Sequence, residues 1–264
     1  MAGVVGLTEH ATALVERRQP AGSLALLRLS LGGELAVEEL SDGEGAGRRY
    51  ASFIAGFMPG HATTSQTGPQ ACVQVYLTPR GVAGILGLQG SELARSVVEA
   101  SDVLPHLGGS FLDQLAAAPN WPARFRTLDL LLHSLAGRAR DPDLLAEAAW
   151  RTIVASGGSV RMAELAREFG WSHRRLVTRL RNHVGVNPKT AAAVVRFERG
   201  LHEISGPEDL AGLAHRFGYA DQSHLCRDFA RFAGASPAAV RREPVPTAWA
   251  ALGCRSLGRP GAGS

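Results

Sequence analysis

The chain has 264 residues, is 45% hydrophobic and carries a net charge of +4, so it can bury a core and form two domains. No apolar run approaches the ~18–20 residues that span a bilayer, and the first twenty residues lack the pattern of a signal peptide. Cys72, Cys226 and Cys254 lie far apart, which argues against a disulfide scaffold or a structural zinc site. These features predict a cytoplasmic protein with no membrane partner.

The first half of the chain predicts a β-rich region followed by helices. Apolar segments separated by glycine or proline are typical of strands, and they read SLALLRLSL, ELAVEEL, RRYASFIAGF and CVQVYLTPRGVAGILGL. After Ser91 the pattern becomes helical, in the segments SELARSVVEASDVL, GSFLDQLAAA and PARFRTLDLLLHSLAGRA. Apolar residues form one face of the last segment, namely Leu128, Leu131, Leu132 and Leu135. We predict a β-rich sensor domain over residues 1–95 and a helical linker or dimerisation region over 96–142.

Nothing in this half indicates catalysis or metal binding. His10, His61 and His106 are scattered, with no HxH pair or carboxylate at ligand spacing. No GxSxG nucleophile elbow is present, and Cys72 is expected to be a buried strand thiol. We therefore expect no enzyme activity, no metal and no cofactor.

The second half contains an internal repeat. The segment LAREFGW (165–171) recurs 48 positions later as LAHRFGY (213–219), and the residues at 176, 180, 185 and 188 have counterparts 49 positions later. Two copies are too few for a solenoid, which needs about three or more. The repeat therefore indicates two copies of a compact unit.

Each copy predicts a helix, a tight turn and a second helix. Leu165, Ala166 and Phe169 have the spacing of an apolar helical face. Gly170 stands where a helix C-cap requires a positive φ, and Ser172 can cap the next helix. Two helices joined in this way form a helix-turn-helix, whose second helix enters the DNA major groove. Between the copies, the segment at 188–206 predicts a single linker helix.

Polar residues occupy the first turn of the second copy's recognition helix. Gln222, Ser223 and His224 lie where such helices contact bases; Gln can pair with adenine, and an Arg such as Arg227 can pair with guanine or phosphate. Asp221 is expected to cap this helix. An ordinary solvated helix start would have the same composition, but the repeat and the neighbouring basic residues favour DNA recognition.

Positive charge is concentrated in the first copy. Residues 161–199 hold nine Lys or Arg and three acids, a net charge of +6, whereas residues 200–243 carry −1. Such a cluster indicates a polyanionic partner. We predict that Arg174, Arg175 and Arg181 supply electrostatic affinity, while the second copy supplies more of the discrimination.

The segment FGYADQSHLCRDFARFAGASPAAVRR resembles the DNA-binding domain of AraC/XylS-family transcription regulators, and the resemblance extends over residues 143–243. It implies seven helices in two helix-turn-helix subdomains joined by a linker helix. It also implies base contacts at the matching positions, which are Arg174, Val177, Thr178, Gln222, Ser223, His224 and Arg227. The family's Leu-x-Arg-x-Phe pattern is intact at 225–229, but the first unit has Thr178 in place of the Arg. Arg174 or Arg181 is the alternative contact there.

The resemblance implies an α+β fold, with a small cupin-like N-terminal sensor and an all-α C-terminal domain. It further implies a one-component, sequence-specific regulator whose partners are double-stranded DNA and RNA polymerase. A small-molecule effector at the N-terminal domain and a homodimer are left open. The alternative function is a helix-turn-helix adaptor that acts mainly through protein contacts. The tail at 244–264, rich in Gly, Pro and Ala, is predicted to be disordered.

Overall fold

The computed structural model describes residues 1–105, 107, 109–136, 141–206 and 209–242; the predicted disordered tail at 244–264 lies outside the described residues. The N-terminal part is built on antiparallel strands, as predicted. Their bounds are β1 (Gly3–Gln19), β2 (Ala25–Gly32), β3 (Leu35–Leu40), β4 (Arg48–Tyr50), β5 (Phe53–Ala55), β6 (Ala62–Leu77) and β7 (Val97–Glu99).

Strand β6 organises the sheet. One edge of β6 pairs with β1 from residue 62 to residue 76. Its other edge pairs with β3 near its start and with β2 near its end. Strand β4 extends β3, while β5 and then β7 extend β2. The strands form a nearly closed antiparallel barrel with a helical C-terminal region, which confirms the predicted fold class.

Two details of the sequence prediction were wrong. The longest strand, β1, is absent from the predicted strands because its sequence lacks a regular alternation of apolar and polar residues. In the structure none of its side chains is fully buried. Its ladder with β6 stabilises it instead. The predicted helix after Ser91 is interrupted, because Val97–Glu99 pairs with β5 and its two valines favour a strand.

Helices cover the outer face of the barrel. The short helices α1 (Pro79–Gly81), α2 (Gly90–Leu93) and α3 (Ala100–Val103) and a π-helical turn (Val82–Leu86) follow β6, and then come α4 (Gly109–Ala117) and α5 (Trp121–Ala136). Leu27 and Leu29 of β2 share a buried core with Leu115 of α4 and Leu128 of α5. The side chains that alternate with them on β2 therefore point into the barrel.

The C-terminal part is helical and contains both predicted helix-turn-helix units. Its helices are α6 (Leu144–Ala155), α7 (Met162–Glu168), α8 (His173–Val184), α9 (Pro188–Glu203), α10 (Leu210–Arg216), α11 (Gln222–Ala233) and α12 (Pro237–Val240). Helix α9 is the predicted linker helix. No helix in the described part of the chain has the length and apolar character needed to cross a membrane.

The two turns have the predicted geometry. Gly170 and Gly218 have φ values of +63° and +74°, the left-handed conformation that favours glycine. The Ser172 hydroxyl accepts a hydrogen bond from the Arg175 N–H at 3.2 Å. The Asp221 carboxylate accepts one from the His224 N–H at 2.7 Å. These caps satisfy backbone donors that would otherwise lack partners at the helix starts.

The barrel contacts the C-terminal part through the segment that joins β1 to β2. The Ala21 N–H donates to the carbonyl oxygen of Phe232 at 2.7 Å, and the Ser23 N–H donates to Glu198 Oε1 at 2.8 Å. Glu198 lies on α9 and is only 5% exposed. Burial raises the pKa of its carboxyl to about 7, against an ordinary value of 4.5.

Replacement of Gly218 by Val should destabilise the second helix-turn-helix unit. A Cβ at this position would meet no atom closer than 3.9 Å, so the cost should come from backbone strain, at about 1–2 kcal/mol. Gly84→Ala is a control for added side-chain atoms, because that glycine also has open space around it and no positive φ. Denaturant unfolding measures both variants, and equal stability of G218V and the parent would contradict the strained turn.

Glu198→Gln should change how stability depends on pH. Between about pH 4.5 and 7 the folded state holds a proton that the unfolded state has lost, so stability should fall as the pH rises through this window. The fall should reach about 3 kcal/mol, since one pKa unit is worth about 1.4 kcal/mol. Glutamine keeps an acceptor for the Ser23 N–H without a charge, so the variant should lose this dependence and be more stable than the parent at pH 8. Parallel pH slopes for the two proteins in urea unfolding would contradict the assignment.

Candidate nucleic-acid interface

Helix α8 divides its residues between the core and solvent. Leu176, Leu180 and Val184 are buried in the C-terminal core. The opposite side exposes predicted contact residues, namely Arg174, Arg175, Thr178 and Arg181. Val177 is half-buried between the two faces. The structure therefore brings the predicted residues of the first unit onto one side of a single helix.

Helix α11 is divided in the same way. Leu225, Phe229 and Phe232 are buried, whereas Gln222, Ser223 and Arg227 are exposed. The Arg227 Nε–H donates to the Ser223 carbonyl oxygen one turn earlier, at 3.3 Å. This contact holds the guanidinium close to the surface of the helix start. Three predicted residues of the second unit thus lie together on the exposed surface.

His224 differs from its neighbours because its ring is half-buried and makes contacts within the chain. The ring meets the Tyr219 ring edge-on at a centroid distance of 5.1 Å. Its Nδ1 accepts the Ala220 N–H at 3.4 Å, and its Nε2 lies 4.0 Å from Asp228 Oδ2. These contacts hold the His224 ring in one orientation at the edge of the exposed surface of α11.

Arg196 of the linker helix connects the two units. Its guanidinium lies over the Tyr219 ring, 5.3 Å from the centroid, and it donates to the Gly158 carbonyl oxygen before α7 at 3.2 Å. Burial raises the pKa of the nearby Asp228 carboxyl. Arg196 Nε, Tyr219 Oη and Asp228 Oδ2 are buried atoms without a hydrogen-bond partner among the described residues. Sequence reasoning missed this cluster, because its members come from three separate elements.

Arg179 has a structural contact that the sequence did not indicate. Its guanidinium donates two hydrogen bonds to the Asp143 carboxylate, at 2.8 and 2.6 Å, and stacks on Trp171 with its Cζ 4.8 Å from the ring centroid. Burial alone would raise the pKa of Asp143, but the Arg179 hydrogen bonds and the Ala146 N–H hold it below its usual value. Arg179 therefore ties α8 to the start of α6, so part of the positive charge of the first unit serves the fold.

The described residues include no group of three or more His, Cys, Asp or Glu side chains that could hold a metal ion. The surface formed by α8 and α11 consists of arginine, amide and hydroxyl groups on two helices. These groups can bind phosphates and the edges of bases. This surface is therefore suited to binding a nucleic acid through hydrogen bonds and charge.

Residues 165–243 match a family model described as a helix-turn-helix domain. The match begins within α7 and covers both units together with the linker helix. The chain therefore carries a helix-turn-helix DNA-binding domain of the kind that transcription regulators use. The adaptor function is not favoured. No curated protein matches the chain.

The chain as a whole is similar in fold to ToxT from Vibrio cholerae. One ToxT structure, bound to (E)-4-(8-methylnaphthalen-1-yl)but-3-enoic acid, has a TM-score of 0.51 and 11% sequence identity, and the alignment covers 91% of this chain and 98% of ToxT. Another ToxT structure has a TM-score of 0.50 at 11% identity, with 91% and 97% covered. This likeness extends the shared architecture of barrel and helix-turn-helix domain over nearly the full length of both chains.

Arg179→Gln and Arg181→Gln should separate stability from DNA binding. Loss of the Arg179 hydrogen bonds should destabilise the domain by about 1–2 kcal/mol, since hydrogen bonds to charged groups contribute about that much when partly exposed. Arg181 is exposed, so its replacement should leave thermal unfolding unchanged and weaken binding to duplex DNA. A shared melting temperature for the two variants would show that the Asp143 contact contributes nothing.

Proposed function

We propose that α8 and α11 read two segments of the major groove on one face of the DNA, with different tasks. The observation that supports this most directly is that both helices expose polar faces while their apolar faces meet in one core around α9. A common core holds the two helices at a fixed separation, as two contacts one helical turn apart require. The base contacts are proposed for Arg174, Val177, Thr178, Gln222, Ser223, His224 and Arg227.

The division of tasks follows from the charges that remain exposed. Arg174, Arg175 and Arg181 of α8 form no ion pair among the described residues, so they can approach phosphates. The exposed start of α11 instead presents the amide of Gln222 and the hydroxyl of Ser223. Phosphate contacts position a protein on DNA, whereas groups that pair with base edges discriminate between sequences. We assign affinity chiefly to α8 and discrimination chiefly to α11.

We also propose that the N-terminal barrel binds a small-molecule effector. A cavity of about 820 Å³ is lined by barrel residues and, from the DNA-binding domain, by Leu201, Ala233 and Val240. Cavities of this size suit small organic ligands. Because residues of both domains line the cavity, an occupant could favour one arrangement of the domains over another.

The remaining proposals rest on the family resemblance. RNA polymerase is the proposed second macromolecular partner, and a homodimer through the region at 96–142 is the proposed assembly. The proposed location is the cytoplasm, and the regulator is proposed to act by binding, without catalysis. The divisions at residues 95 and 142 stay predictions.

Two triple variants test the division of tasks. Arg174, Arg175 and Arg181 are changed together to Gln in one, and Gln222, Ser223 and His224 to Ala in the other. The arginine variant should bind every sequence more weakly, and its log–log salt dependence should flatten by about 0.9 for each phosphate that the protein no longer neutralises. The α11 variant should keep the parental salt slope but lose preference for its operator. Affinity is measured at several salt concentrations on an operator found by genome-wide mapping and on random duplex.

Arg167 provides a matched control, because this exposed arginine lies on α7 and not on a recognition helix. Arg167→Gln should change the salt slope less than the average single change among the three α8 arginines. If the arginine triple variant keeps the parental salt dependence of DNA affinity, α8 does not bind the phosphates. If the affinity of the parent for DNA depends neither on salt concentration nor on DNA sequence, the proposed mode of DNA recognition is wrong.

A further inference from the structure

Two arginines of the linker helix α9 reach from the first helix-turn-helix unit to the second. Arg196 and Arg199 are half-buried and, three residues apart on one helix, lie on the same side of it. Each contacts the loop between α6 and α7, which leads into the first unit. Each also contacts an aromatic ring beside the turn between α10 and α11, which leads into the second recognition helix.

The loop between α6 and α7 is packed closely against α9. Gly157 and Gly158 have φ values of +62° and +75°, and their N–H groups donate to the carbonyl oxygens of Val154 and Ile153, each at 2.9 Å. Left-handed glycines often end a helix in this way. Gly158 leaves no room for a Cβ beside the Ala192 carbonyl oxygen of α9. The loop therefore follows one fixed path, from which α7 and then α8 continue.

The Arg196 guanidinium lies between this loop and the second unit. Its Nη2 donates to the Gly158 carbonyl oxygen at 3.2 Å, and its Cζ lies 5.3 Å from the centroid of the Tyr219 ring. A guanidinium over an aromatic face is attracted to it. Tyr219 is only 5% exposed and stands two residues before Asp221, the cap of α11. Arg196 therefore links the entrance of the first unit to the start of the second recognition helix.

The charge of Arg196 also acts on α11 itself. Burial raises the pKa of the Asp228 carboxyl, and the nearby positive charges of His224 and Arg196 offset part of this rise. Arg196 Nε and Asp228 Oδ2 are both buried atoms, so solvent screens the attraction between the two side chains only weakly. This attraction draws α11 towards the linker helix.

Arg199 joins the same two segments of the chain. Its Cζ lies 5.6 Å from the centroid of the Phe217 ring, and Gly157 leaves no room for a Cβ beside its guanidinium. The loop and the second turn are also direct neighbours, because a Cβ on Gly218 would lie 3.9 Å from the Cβ of Ser159. The contacts of Arg196 are therefore part of a wider junction between the two units.

We propose that Arg196 is a positioning residue that fixes α11 relative to α8 and thereby sets the separation of the two DNA segments that the protein reads. The proposal rests on the proposed function, in which both helices read the major groove. Apolar burial of α9 is non-directional, whereas a planar guanidinium with a hydrogen bond and a stacked ring has a defined geometry. Arg196 would act through the loop and the turn, without touching DNA.

Arg196→Lys tests this role on the full chain, because lysine keeps the charge and the flexible stem but lacks the planar fork. Affinity is measured for an operator found by genome-wide mapping and for the same operator with one base pair inserted between the two segments that the protein protects from hydroxyl-radical cleavage. The insertion displaces one segment by about a tenth of a helical turn. The parent should prefer the native spacing about tenfold or more, because one helix loses its base contacts. Arg196→Lys should reduce this preference to about threefold or less, because a less rigid second unit can follow the displaced segment.

Two further variants make the comparison specific. Arg196→Met keeps the apolar stem but removes the hydrogen bond and the charge, so it should reduce the spacing preference at least as much as Arg196→Lys. Arg151→Lys is the matched control, since this exposed arginine lies on α6, and it should keep the parental preference. A change that only destabilises the domain would lower the affinity for both duplexes by the same factor, and the preference would not change. Thermal unfolding confirms that each variant is folded.

The results for the parent and for the variants separate the two proposals. If the parent prefers the native spacing and folded Arg196→Lys and Arg196→Met keep that preference, Arg196 is not a positioning residue, and reading by two helices stands. A loss of preference in Arg151→Lys as large as in Arg196→Lys would also overturn the role of Arg196. If the parent binds both duplexes equally, reading by two helices at a fixed separation is itself wrong.

Discussion

The burial of the linker helix α9 is the constraint on which the DNA-binding domain depends. Ala191, Val194, Val195 and Leu201 of this helix all lie in the C-terminal core. Phe197 meets Phe229 and Phe232 of α11 at centroid distances of 5.1 and 5.4 Å. A helix enclosed in this way cannot slide or rotate without opening well-packed contacts. The two recognition helices are therefore held by one core, and their separation is a property of the fold.

The N-terminal part, through α2 and the segments between strands, reaches the same core from the other side and contacts both recognition helices near their C-terminal ends. At α8, a Cβ on Gly90 would lie 2.3 Å from the His183 carbonyl oxygen, so the two backbones are in close contact. At α11, Ala21 N–H donates to the Phe232 oxygen, and His61 Nδ1 lies 3.2 Å from the Arg231 oxygen. The exposed polar faces of both helices are left open by these contacts. The barrel is thus positioned to influence the helices without covering the surface that would meet DNA.

Arginine occupies three different environments in this chain, and the environment of each side chain decides what it can contact. Arg179 is bound by Asp143, and it stabilises the joint between α6 and α8. Arg174, Arg175 and Arg181 remain exposed, so they are available to phosphates. Arg28 is enclosed in the barrel, where its hydrogen bonds to the Ala51 carbonyl oxygen and to Gln70 Oε1 tie β2 to its neighbours. Net charge alone overestimates the cationic surface of the first unit, because it counts Arg179 with the others.

The helix-turn-helix units could be predicted from the sequence because their signals are local. Gly170 and Gly218 in the turns, and Ser172 and Asp221 at the helix starts, each act within a few residues. The exposed polar faces of α8 and α11 follow from the helical period. The tertiary structure alone decided the rest. Strand β1 depends on a ladder with β6, about 60 residues away, and the Arg179–Asp143 pair spans 36 residues. The burial of Glu198 and Arg28 likewise depends on strands and helices that meet only in the folded chain, and burial raises the pKa of Glu198.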